Sequence, residues 1–100
     1  MLEVGKLYTC EKFHLLFYPD PDAASAAERT NQPSPAAPNG GKPGTYASYW
    51  SNRLGKSVSY AEKNIPLLVL DSKEKFYEVL IEDKKGWIIF KDWLEIREIV

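Results

Sequence analysis

The sequence predicts a small all-β barrel of about five strands, and three observations carry that prediction. Phe76–Ile81 alternates, with Tyr77, Val79 and Ile81 on one face of an extended chain and Phe76, Glu78 and Leu80 on the other. Glu82-Asp83-Lys84-Lys85-Gly86 then offers polar turn residues ending in a glycine free to take positive φ, and Trp87–Phe90 resumes an apolar run, so the two runs read as a hairpin. Upstream, Ile65–Leu70 is a third apolar run of strand length, closed by the polar turn Asp71–Lys75, and the three strands form a meander.

At 100 residues the chain predicts one domain, residues 1–100, with one core, and 44% hydrophobic content is ordinary for a small globular protein. A net charge of −1 gives no basic footprint for a nucleic-acid backbone, which disfavours nucleic acid as a partner. The start, Met1–Phe13, has no apolar leader core, and no run approaches the roughly 18 apolar residues that span a bilayer; the expectation is a soluble cytoplasmic protein with no membrane partner. A single cysteine, Cys10, excludes an internal disulfide and fits a reducing compartment.

Val4–Tyr18 reads as a half-exposed strand, bent near Glu11 or split in two, and Pro19-Asp20-Pro21-Asp22 stops it. Six of the seven prolines then fall between Pro19 and Pro43 among Ala, Ser, Asn and Gly, so residues 19–45 read as a flexible low-complexity insertion between barrel segments 1–18 and 56–100. With so few large apolar side chains it cannot offset an ordering cost of roughly 1–2 kcal/mol per residue, and deleting Asp22–Gly41 is expected to cost little stability. Two readings stand for it: a solvated insertion, or a binding arm that orders on a partner. Tyr46, Tyr49, Trp50 and Leu54 recur at one-face helical spacing, with Thr45 as N-cap and Gly55 just past the end, which predicts a short helix near 46–54. Its rings either cap an open end of the barrel or present an aromatic face to a ligand.

Candidate chemistry is sparse. Cys10 and His14 are the only cysteine and histidine, and four strand residues set them about 13 Å apart, too far for a thiolate–imidazole pair. Glu82-Asp83 and Asp20/Asp22 read as solvated turn carboxylates. One histidine does not anchor a usual metal site, and Asn39–Gly44 lacks the spacing of a phosphate-binding loop. No catalytic residue, metal or cofactor is predicted.

The order Val58-Ser59-Tyr60, Glu62-Lys63-Asn64, Leu67–Leu70, Phe76-Tyr77-Glu78-Val79, Gly86-Trp87-Ile88 and Trp93-Leu94 resembles that of Src-homology-3 and bacterial SH3-like domains over about half the chain. The resemblance implies an SH3-like barrel and a peptide-binding groove lined by aromatic rings, with Tyr8 on the family's first-strand tyrosine, Phe76 on its groove tryptophan and Trp93 on its terminal tyrosine. The family's second first-strand tyrosine is Cys10 here, and no proline follows Trp87-Ile88. The expectation is therefore a non-catalytic protein- or peptide-binding module or small complex subunit, with Tyr8, Phe76, Trp93, Tyr49 and Trp50 as candidate contacts. Alternatives are a small ligand-binding protein or enzyme whose pocket the insertion covers, and a nucleic-acid-binding barrel that uses exposed rings as stacking platforms. Phe76 carries the most weight, as an apolar ring opposite the Tyr77/Val79/Ile81 core face, while Trp87 is expected in the core or at its rim. Pro33–Pro38 suits a polyproline II segment folding back over the groove.

Overall fold

The computed structural model describes residues 2–29 and 42–99. The Pro33–Pro38 segment lies outside the described residues. The predicted meander is present as β4 (Leu67–Lys73), β5 (Phe76–Ile81) and β6 (Lys84–Ile89). Val4–Tyr18 supplies two strands, β1 (Leu7–Cys10) and β2 (Leu15–Phe17), broken around Glu11 as its polar residues predict. Two further short strands, β3 (Ser59–Ala61) and β7 (Ile96–Glu98), bring the described strands to seven rather than about five. Five of them form an antiparallel sheet in the order β6-β5-β4-β1-β7, and β2 pairs with β3. The two sheets are joined where the Tyr18 and Trp87 amides each donate to the other's carbonyl at 2.7 Å.

Both meander turns are tighter than the polar stretches predict. Lys73 pairs with Phe76 and Ile81 with Lys84, leaving only Glu74-Lys75 and Glu82-Asp83 outside the ladder. The left-handed conformation falls on Glu74 (φ 58°) and Glu82 (φ 57°), at a cost of roughly 1–2 kcal/mol each for an L-residue. Gly86, expected to be the positive-φ residue, instead lies within β6 for want of space: a Cβ there would overlap the Phe17 ring and sit 3.1 Å from the Tyr18 carbonyl oxygen.

The sheet is covered on both faces, which corrects the one-core expectation. Tyr8, Cys10, Leu67, Val69, Tyr77, Val79, Ile81, Ile88 and Leu94 form one core with Leu15 and Phe17 of β2. Phe76 and Ile89, on the opposite face, form a second with Leu16 and Tyr18 and with two helices, α1 (Pro21–Glu28) and α2 (Pro43–Leu54). β2 can serve both because its alternate side chains enter different cores.

The insertion is thus not loop throughout, and the domain is mostly β, as expected, with two short helices rather than one. Asp20 accepts a 2.7 Å hydrogen bond from the Ala23 amide as the N-cap of α1, with Pro21 opening the first turn. That amide bond, with the Lys56 ammonium 3.0 Å away, holds the Asp20 carboxyl below its ordinary value. The helix buries Ala23, Ala24 and Ala27, side chains small enough for its backbone to approach the sheet closely. α2 matches the predicted helix and ends at Gly55 (φ 68°) as expected, though its N-cap is Lys42 rather than Thr45.

Candidate functional site

The five candidate residues separate into buried and exposed groups. Tyr8 is 5% exposed in the first core, where its hydroxyl accepts the Glu3 amide at 2.8 Å. Phe76 (6%) and Trp50 (2%) come together in the second core, so Phe76 is not on an outer surface as alternation had implied. Tyr49 (41%) and Trp93 (49%) are exposed. Tyr49 stands edge-on to Trp50 at 5.3 Å and accepts from Arg53 at 3.3 Å. Trp93 lies in the 3-10 turn Asp92–Leu94, edge-on to Phe13 at 5.3 Å. Trp87 is half-buried against the second core, at the rim as expected.

An open groove of about 350 Å³ is lined by Glu74, Lys75, Tyr77, Phe90, Lys91 and Asp92, the residue before Trp93 in the chain. The β4–β5 turn forms one bank, and the chain leaving β6 forms the other. The Phe90 amide donates to the Lys75 carbonyl at 2.9 Å, fixing the distance between the banks. Tyr77 and Phe90 meet edge-to-face at 5.9 Å. The 3-10 turn, closed by Leu94 N–H to Lys91 C=O at 3.1 Å and Glu95 N–H to Asp92 C=O at 3.2 Å, reverses the chain and leaves Trp93 outside.

The groove's two lysines are already engaged. Glu28, near the end of α1, binds Lys75 through one carboxylate oxygen and Lys91 through the other at 2.9 Å. Burial pushes the Glu28 carboxyl up, but the two ammonium groups outweigh it and hold the group below its ordinary value. Glu74 and Asp92 have no ion-pair partner among the described residues, so the charge left for a ligand is negative. The sequence reading missed Phe90, Phe13, Glu28 and both lysines. Only the apolar run through Phe90 signalled any of them, and it read as strand.

Cys10 and His14 do not pair. The Cys10 thiol donates to the Leu94 carbonyl at 3.4 Å, and burial pushes its pKa up, which leaves it a poor nucleophile at neutral pH. Among the described residues, no three His, Cys, Asp or Glu side chains gather where they could hold a metal ion, and no helix is long and apolar enough to cross a membrane. Comparison with protein-family models, with curated proteins and with solved structures found no match.

Proposed function

We propose that this chain is a non-catalytic peptide-binding module whose contact surface combines the Tyr77/Phe90 groove with Trp93, which follows the groove residue Asp92 in the chain. The observation that carries the reading is a shallow groove with half-buried Phe90 in its wall over the buried Tyr77 ring, together with an exposed tryptophan one residue beyond its lining residue Asp92 that stands edge-on to Phe13. An open channel suits an extended chain better than a small molecule, which needs enclosure on most sides. The strand order β6-β5-β4-β1-β7, with a 3-10 turn before the last strand, supports the SH3-like reading. Tyr8 and Phe76 act as core residues in this proposal, and Trp93 carries the binding role first given to Phe76. The unpaired carboxylates of Glu74 and Asp92 favour a segment that pairs apolar or proline side chains with a basic one.

An array of ten-residue proline-containing peptides, each made with Arg or with Glu at one flank, tests this. Arg-flanked members are expected to bind, and Trp93→Ala to weaken them by about 2 kcal/mol, close to thirtyfold, at nearly unchanged stability. Equal binding by parent and Trp93→Ala, or no binding by any member, refutes the proposal.

A further inference from the structure

A second surface, independent of that groove, lies along β3. Among the described residues the β2–β3 sheet has two strands, so one edge of β3 has no described strand beside it. Which peptide groups face that edge follows from two sets of hydrogen bonds. The Val58 amide, just before β3, donates to Ser51 Oγ of α2 at 2.8 Å, and Ser51 Oγ lies 3.2 Å from the Val58 carbonyl oxygen. Val58 therefore turns both of its backbone groups toward α2. Peptide direction in a strand repeats every second residue, so Tyr60 turns its amide and carbonyl the same way. The partner strand gives the same answer. Tyr18 spends its amide and carbonyl on Trp87 of β6, so Leu16, two residues earlier, also points away from β3, and the Leu16–Tyr60 pair is the kind that exchanges no hydrogen bonds.

The space that Tyr60 faces is a groove of about 450 Å³ between β3 and α2. Its helical wall presents Gly44, Ala47 and Ser48, which are small enough for a backbone to approach. Lys84 is the one charged side chain lining it, exposed and without an ion-pair partner among the described residues. Tyr60 and Lys84 also border an adjacent pocket of about 230 Å³, lined by Phe17, Ile65 and Ile81 and rimmed by Glu62 and Glu82.

We propose that the β3 edge captures the carboxyl-terminal end of a partner protein in extended form. The last residues pair with the Tyr60 amide and carbonyl, the terminal carboxylate meets Lys84, and an apolar side chain enters the pocket formed by Phe17, Ile65 and Ile81. Within β3, Tyr60 is the residue whose peptide groups face this edge, since Ser51 already serves Val58 just before the strand, and so short a strand limits strand addition to a short stretch such as a chain end. Glu62 and Glu82 repel acidic residues upstream of that end.

The test is selection from a random hexapeptide library displayed with free carboxyl ends, followed by titration of the selected peptide made as acid and as amide. An apolar last residue is expected to be enriched. Amidation and Lys84→Ala are each expected to weaken binding by about tenfold, and Trp93→Ala to leave it unchanged. Exchange of the Tyr60 amide should slow on binding. Lys84 is exposed, so its variant folds and the readout is binding alone. Failure to select any peptide, equal affinity of acid and amide, or sensitivity to Trp93→Ala without sensitivity to Lys84→Ala overturns the proposal. The last of these results would assign the peptide to the Tyr77/Phe90 groove.

Discussion

Deleting Asp22–Gly41 removes nearly all of α1, and the second core sets what that costs. Ala23, Ala24 and Ala27 are each at most 2% exposed, and three buried methyls at ~0.8 kcal/mol are worth about 2 kcal/mol. Phe76 and Ile89 lose the part of their cover that α1 provides; fully exposing side chains of this kind costs ~1.5–3 kcal/mol each, so half of that for the pair adds about 1.5–3 kcal/mol. Shortening the connection returns less than about 1 kcal/mol, since closure entropy grows only logarithmically. The net loss of about 4 kcal/mol is a large share of the 5–15 kcal/mol typical of a domain. Urea unfolding followed by tryptophan fluorescence should place the midpoint about 2 M lower, at a slope of ~2 kcal/mol per M. Ala24→Asp in the full chain separates helix cover from chain length, because it buries a carboxylate at the same contact and should destabilise comparably. If the deletion and Ala24→Asp both keep midpoints within about 0.5 M of the parent, α1 contributes no core and the packing argument fails.

Gly86→Ala should cost about 1–3 kcal/mol, because its methyl overlaps the Phe17 ring beside the Tyr18–Trp87 bridge that joins the sheets. Faster exchange of the Tyr18 and Trp87 amides would locate the damage, and an unchanged unfolding midpoint would refute it. The Glu28 carboxyl, held below its ordinary value by Lys75 and Lys91, contributes stability that is complete above its unfolded-state pKa, near 4.5, and is lost as pH falls through the lower folded value. Unfolding midpoints of parent and Glu28→Gln should therefore converge as pH drops below about 4 and separate above it, whereas a pH-independent difference would show that the clamp adds nothing through charge.

The meander was legible because its signals are local: alternation in Phe76–Ile81, polar turns and apolar runs need no tertiary information. The α2 helix was legible for the same reason, through one-face spacing ending at Gly55. α1 was not, because three alanines contribute little apolar area and count for little in a hydrophobicity reading. Their value lies in closeness, which only the surface opposite them reveals. The phrase Pro19-Asp20-Pro21-Asp22 held the missing cue. A capping aspartate followed by proline at the first helical position starts a helix as readily as it stops a strand.

Phe76 shows why the site was harder to read than the fold. Alternation correctly puts it on the face opposite Tyr77, Val79 and Ile81, but parity says only which face, not what covers that face. Once α1 lies over it, an apolar ring beside Glu78 becomes a core residue. The sheet itself shows that the cover is partial. Leu7, Leu68 and Leu80 are register neighbours across β1, β4 and β5 on the same outer face, yet Leu7 is 46% exposed and the other two only half-buried. Identical sequence signals at Phe76 and Leu80 thus have different outcomes, decided by how far the cover that α1, α2 and β2 give the second core extends over the sheet. Trp93 escapes this ambiguity because its exposure is set locally, by a 3-10 turn whose two backbone hydrogen bonds reverse the chain around it. A binding role argued from Trp93 therefore depends on fewer long-range contacts than one argued from Phe76.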